Sequence, residues 1–364
     1  MPALRSGQSL RTYGIARALA ARGGLTLLYV PFDGAEPDRA FRAIEGIELV
    51  ETVPSRGLRR GVAYGSALLA GVPSGFARGV SPELIRSAER LAREPGRGRV
   101  IADGPIAAAA LSRLAGRRPV IYNALNLESG FRHELSGGER QRHRLERFER
   151  RLLERAGESW MVSRRDLEAA RLLAPEAQLR YVPNVIDVRA ITPVGGRASE
   201  ERAIFVASFG YEPNRNGLRF LLEEVFPRVW SDLPGARLTL AGGGLEPQPS
   251  LDSRVEVLGF VDDLAGAYAR ARCAVVPLLQ GGGTPLKFIE ALAYGLAVVA
   301  TPRAAQGLDV RDGEHCLIAD DADAFAAALV RVLAGGAPEL GPQGRRLAEA
   351  SYSIEALEVL LAGG

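Results

Sequence analysis

The sequence predicts an α/β protein of two doubly wound units, and three observations predict it. Apolar runs of strand length alternate with amphipathic runs of helix length along the chain. That rhythm stops once, in the polar stretch 187–201 with Pro193, Gly195 and Gly196, and then restarts, so a linker is expected there. The 364 residues suffice for about two domains of ordinary size. The resulting boundaries are 1–190 for the first unit, 191–345 for the second, and 346–364 for a C-terminal helix drawn as packing back on the first. Sheets of this kind bind ligands beyond the carboxyl ends of their strands, which places the expected site in a cleft between the units.

The elements follow in order. Residues 9–22 read as a helix because Leu10, Ile15 and Leu19 share one side. LTLLYV (25–30) and IELVETV (47–53) are strand runs. The charge-free run 61–77 is broken by glycines and Pro73 and is too short to span a bilayer. It reads as a helix and loop, with a membrane-surface contact or an acceptor lining as the alternatives. A helix is expected at 82–93, a strand at 99–103, a helix at 106–114 and a strand at 119–124. Residues 139–156 form a long charged helix with Leu145, Phe148, Leu152 and Leu153 on one face; its interleaved glutamates and arginines favour a solvated outer face. A strand at 159–163, a helix to Leu173 and a strand at 181–184 close the first half. The second half reads strand 203–208, helix 217–230, strands 236–242 and 255–259, helix 263–271, strand 273–278, helix 285–294, strand 297–301, helix 323–333 and a final helix.

Composition excludes several classes. With 47% hydrophobic and 24% charged residues this is a soluble globular chain, and a net charge of +3 is too small to argue for nucleic acid. Cys273 and Cys316 supply neither a disulfide framework nor metal-ligand spacing, and His133, His143 and His315 are too scattered for zinc. No metal and no cofactor are expected. MPALRSGQSLRTYG has no apolar core of a signal peptide, and a reducing cytoplasm is the expected compartment, with or without peripheral contact at the inner membrane face.

The chemistry concentrates in 281–295, GGGTPLKFIEALAYG. Lysine and arginine together number 46, and Lys287 is the single lysine. A lysine is a compact point charge where arginine is a planar fork, so a narrow anion site accepts one and rejects the other. Gly281, Gly282 and Gly283 let an anion approach backbone N–H groups at a helix start. Thr284 suits the N-cap, Pro285 the first helical position and Gly295 the stop. Lys287 in the first turn opposes the helix dipole unless an anion is bound. Glu290, three residues on, shares its face and is placed to accept hydrogen bonds from a ribose diol. The same spacing equally permits a plain Lys–Glu surface pair.

GGGTPLKFIEALAYGLAVVAT resembles the signature segment of family-4 retaining glycosyltransferases of the GT-B fold, two Rossmann-like domains facing a central cleft. The exopolysaccharide-type subgroup is most similar. FVASFGYEPNRNGLRFLLEEVFP, RLTLAGGG and VEVLGFVDDLAGAYARARCAVVPL resemble the donor domain; SGQSLRTYGIARALA, VIYNALNLES, RFERRLLERA and YVPNVID resemble the acceptor domain. The resemblance implies transfer from a nucleotide-diphosphate sugar to a saccharide, lipid-linked or metabolite acceptor, without metal. It places Glu290 on the ribose, the glycine loop, Thr284 and Lys287 on the diphosphate, Asn214 and Arg215 beside them, and backbone near Val261 on the base. Ser6, Gly7, Gln8, Asn126 and Glu128 fall on the acceptor or phosphate side. Asp262 and Asp263 read as a loop and a helix cap rather than metal ligands.

Four departures accompany the resemblance. Gly282 stands where the family often has a glutamate, Ser208 and Asn216 where it has Arg and Lys, and Leu125 where relatives often have histidine. A first strand before SGQSLRTYG is not found, so the expectation is either an upstream start or a first sheet without its central strand. A non-catalytic protein that binds a nucleotide-sugar or a partner enzyme is the competing reading. An epimerase would want more acid–base groups, and AGGGLEP lacks the dinucleotide fingerprint of a dehydrogenase.

Overall fold

The computed structural model describes residues 7–31, 39–53, 57–96, 98–111, 120–130, 138–195, 200–245, 251–281 and 283–363. Contacts divide the chain into two units: one running to Asn184 and taking in the chain's end from Leu357, the other Val185–Ala356.

The first unit holds two parallel sheets. β1 (Leu25–Tyr29) pairs with β2 (Ile47–Glu51), Leu25 facing Ile47 and Tyr29 facing Glu51. β3 (Val100–Asp103), β4 (Val120–Asn123), β5 (Glu158–Met161) and β6 (Leu179–Tyr181) form the second sheet in that order. Among the described residues no strand joins β1 to β3. A cavity of about 1090 Å³ lies between the sheets, lined by Ile15, Leu25, Leu27, Val100 and Ile121. The sequence placed the last strand at 181–184, but pairing ends at Tyr181. Pro183 has no N–H to give, and the Val182 carbonyl turns instead to Arg11.

The second unit is one six-stranded parallel sheet: β7 (Arg202–Val206), β8 (Arg237–Ala241), β9 (Val255–Gly259), β10 (Cys273–Val276), β11 (Ala297–Ala300) and β12 (Leu317–Ile318), in the order β12-β11-β10-β7-β8-β9. Its inner strands β7, β8, β10 and β11 are buried on both faces, as expected when helices cover both sides, whereas the edge strand β9 is only half-buried. Phe205, Leu240 and Val299 point to a core with Phe226 and Phe325, whereas Ile204, Ala274 and Val298 point to one with Phe288 and Leu292. The expected helix 217–230 is longer and interrupted: Glu212–Phe220 and Phe226–Asp232 flank a π-helical turn, Leu221–Val225, where Pro227 cannot donate to the ladder. The stretch expected to be a linker is partly core. Val188, Ile191 and Val194 recur every three residues and pack into the second unit, a helix-like spacing hidden among polar neighbours. The run 61–77 is a helix, Gly57–Leu69, followed by the short helix Ser74–Ala77.

Candidate functional site

In the second sheet the chain passes from β7 out to β9, then returns to the other side of β7 for β10 and continues to β12. Strand order therefore reverses between β7 and β10, and the crevice at their carboxyl ends is the ligand position of a doubly wound sheet. Two loops leave those ends. Residues 207–211 lead into the helix Glu212–Phe220, and 277–285 lead into the helix Leu286–Ala293.

Close packing fixes the first loop. At Gly242, just past β8, φ is 132° and a Cβ would lie 1.8 Å from the Ala207 carbonyl oxygen, so only glycine lets the two strand ends meet. This explains part of the AGGG run. In the second loop Gly281 and Gly283 have φ of 106° and 74°. Gly282 lies outside the described residues. Arg303, on the short helix Pro302–Ala305, donates from Nε to the Gly281 carbonyl at 2.8 Å. Nothing in the motif points to Arg303; its position after β11 is what delivers it.

The helix start differs from the expectation. Pro285, not Thr284, is the N-cap, with φ −71° and ψ 106°. The extended ψ leaves Pro285 outside the helix, so Leu286 is the first helical residue, Lys287 the second, and Thr284 is buried in the loop. Gly295 follows the helix with φ 72°, the left-handed stop the sequence suggests.

Lys287 and Glu290 do not serve as each other's partners. Lys287 donates from Nζ to Asn214 Oδ1 at 2.5 Å and lies 5.0 Å from the Phe205 ring centre. Asn214 is oriented by its own amide, which donates to the Ser208 carbonyl at 2.7 Å. Desolvation pulls the Lys287 ammonium down to about 7. Glu290 accepts from the Tyr268 hydroxyl at 3.2 Å, and Tyr268 stacks on Tyr294 with ring centres 4.5 Å apart. Burial lifts the Glu290 carboxyl to about 7, against the opposing pull of the Tyr268 hydrogen bond. Among the described residues, the site thus holds a cation and a carboxylate on one helix face, each hydrogen-bonded to a neutral side chain and neither facing a counter-charge, so each is costly to ionise. Tyr268 and Phe205 carried no sequence signal, because an aromatic in a core strand or helix reads as packing.

Arg215, expected beside the phosphates, braces the loop, donating to the Phe209 and Gly210 carbonyls at 3.3 and 2.8 Å. Val261 lies just beyond β9 with its side chain on the second core. Asp263 caps the helix Leu264–Ala269, accepting from Gly266 N at 3.1 Å, the role expected of it.

In the first unit, Gly7 and Gln8 begin the helix Gly7–Ala20, and Ser6 lies outside the described residues. Four residues into that helix is a buried arginine that sequence reasoning missed. Arg11 donates to the Val182 carbonyl (2.9 Å), Asn184 Oδ1 (3.1 Å) and Asn123 Oδ1 (2.7 Å). Asn123 and Thr12 in turn donate to Asp103, each at 2.6 Å. Burial lowers Arg11 to about 10, with Asp103 opposing. A polar knot therefore ties together the carboxyl ends of β3, β4 and β6. Asn126 and Glu128 are brought together beside it: burial raises the Glu128 carboxyl and the Asn126 side chain, bonded to it, lowers it. The turn Glu128–Gly130 is held from below by buried Glu149, which accepts from Glu128 N at 2.7 Å and Ser129 N at 2.9 Å. Burial raises Glu149 to about 7. Leu125, at the position where the resemblance anticipates histidine, lies against Gly104.

Two doubly wound units with this switch-point loop define a class of protein, and comparison with known proteins agrees. Over nearly its whole length the chain has the GT-B fold. Sucrose-phosphate synthase from Thermosynechococcus elongatus superimposes with a TM-score of 0.71 at 21% identity, covering 97% of this chain and 91% of that one. Anabaena Alr3699/HepE, solved in complex with UDP and glucose, gives 0.68 at 15% identity over 98% and 95%.

Residues 200–335, within the second unit, match the family of glycosyl transferases group 1. A phosphatidyl-myo-inositol mannosyltransferase of Mycobacterium leprae (strain TN) is 32% identical over 164 residues, 42% of this chain and 43% of the relative. The chain thus aligns with less than half the length of that curated relative.

Proposed function

We propose that the chain transfers a sugar from a nucleotide-diphosphate sugar to a saccharide, lipid-linked or metabolite acceptor, with retention and without a metal. The observation that carries this reading is the pair Lys287 and Glu290 at the switch point, desolvated and held by neutral partners rather than by each other. A diphosphate at the helix start gives Lys287 the counter-charge it lacks, and the glycine loop admits it. The ribose diol then donates to Glu290. As the sugar–phosphate bond breaks, Lys287 and the helix N-terminus stabilise the departing diphosphate. A donor phosphate oxygen takes the proton of the acceptor hydroxyl, which attacks from the face the leaving group vacates. Gln8, Asn126 and Glu128 belong to the acceptor side in this reading. The nucleotide named with Alr3699/HepE and the lipid-directed transfer named for the mycobacterial relative support the substrate classes.

The test is calorimetric titration of a panel of nucleotide-diphosphate sugars, with and without Mg²⁺, followed by product analysis with the donor that binds. Glu290→Ala is expected to weaken binding about a hundredfold, since it removes a charged hydrogen-bond acceptor for the ribose. Tight binding with no transfer to any acceptor favours the non-catalytic reading. A folded protein that binds no donor rejects sugar transfer and leaves the non-catalytic protein that binds a partner enzyme.

A further inference from the structure

We propose that the helix Gly57–Leu69, with the cavity beneath it, docks the protein on an anionic lipid bilayer. On this helix Leu58, Val62 and Leu69 are 91%, 68% and 92% exposed. At about 100° per residue they fall within roughly 40° of one another, a single apolar stripe. Scattered exposed leucines need no explanation, but a stripe turned away from the core does. The core takes the other side of the helix through Ala67.

Beside the stripe a cavity of about 730 Å³ opens, lined by Leu58 and Val62 themselves and, deeper, by Val72, Ala110, Phe148 and Leu152. That is within the size range of sites that enclose a ligand's apolar part. Its charged lining is one-sided: Arg59, Arg86, Arg151 and Arg155 against Glu83. Glu83 is already engaged by Arg86 at 2.9 Å and by the Ser81 hydroxyl at 3.2 Å. Arg151 donates to the Ala70 and Gly71 carbonyls at 3.2 and 3.1 Å, anchoring the end of the striped helix over the cavity. Arg60 adds a further exposed cation on the helix, which carries no acid. An apolar stripe with arginines around it fits lipid that is apolar below and anionic at its headgroups. A second protein copy would present the same arginines to these arginines, which disfavours self-association through this face.

The experiment is co-sedimentation of the full chain with phosphatidylcholine vesicles and with vesicles of phosphatidylcholine and phosphatidylglycerol in equal parts, across a salt series. Binding is expected to the mixed vesicles, at least about tenfold tighter than to the neutral ones, and to weaken with salt. The double variant Leu58→Asp/Leu69→Asp, at two fully solvated positions, is expected to lose about tenfold or more, and Arg59→Glu/Arg60→Glu to lose the preference for phosphatidylglycerol. Equal sedimentation with both vesicles, or variants that bind like the parent, overturns the proposal. So does a dimer in sedimentation velocity that Leu58→Asp/Leu69→Asp dissociates. Donor titrations of the same variants without vesicles keep this test separate from the sugar-transfer reading, since none of these residues lies at the β7–β10 crevice.

Discussion

At the carboxyl ends of β7 and β10, backbone and side chains leave little freedom: Gly242 touches the next strand end, Asn214 is pinned by Ser208, and Lys287 is pinned by Asn214. The corresponding ends of the first unit's strands are tied by the Arg11 knot, but the sheet around them is open, with one cavity between β1 and β3 and another under an exposed apolar helix. The difference teaches where each kind of recognition is written. In the proposed reading, a small anionic ligand is met by strand-end loops packed as closely as Gly242 on Ala207, and an acceptor or a lipid surface by side chains on helices.

Substitutions in the two regions break or sharpen this contrast. The largest effect is expected for Gly242→Val, whose Cβ would overlap the Ala207 carbonyl oxygen at a left-handed φ; thermal or urea unfolding should show a loss of about 3 kcal/mol or more. An intermediate effect belongs to Glu149, the buried carboxylate under the 128–130 turn. With a folded value of about 7 against about 4.3 unfolded, the native state holds a proton that the unfolded state releases. Stability should therefore fall as pH rises from about 4.3 to 7, by up to about 3–4 kcal/mol, and this contribution levels off above. Urea titrations of Glu149→Gln should show a smaller slope, the rest belonging to other buried carboxyls such as Glu290; an unchanged slope would assign all of it elsewhere.

The second unit has its own proton signature. At pH 8 free Lys287 is mostly neutral, because its value is about 7. A bound diphosphate favours the ammonium, so donor binding takes up as much as one proton and weakens about tenfold per pH unit above 7. Calorimetry in two buffers of different ionisation enthalpy measures the uptake, and Lys287→Met should abolish it. The smallest effect is Gly61→Ala, in the exposed helix where an added Cβ meets nothing within 4 Å; it should stabilise by about 0.5–1 kcal/mol.

Much of the second unit was legible because its signals are local. Strand runs such as CAVVPL and VEVLG, the glycine loop and the Lys287–Glu290 spacing sit within short windows, and the structure keeps them together. The cap at Thr284 was misread because threonine before proline looks like a cap in any sequence, whereas ψ at Pro285 depends on the loop that feeds it. Val188, Ile191 and Val194 were read as linker because polar neighbours mask a three-residue apolar repeat. Arg11 was illegible for a different reason: its partners are Asn123, Val182 and Asn184, more than a hundred residues away, and in a chain rich in arginine one more carries no signal. Arg303 and Tyr268 were hidden likewise by long-range topology.

That Lys287 is the single lysine has a practical consequence. The chain offers amine-directed chemistry one side-chain target besides its terminus, and an amine titrating near 7 is uncharged, hence nucleophilic, in mildly alkaline buffer. One reporter group, or one isotope-labelled lysine resonance, would sit at the β7–β10 crevice without any engineered handle. The protein comes already labelled, by its own composition, at the place where its chemistry is expected.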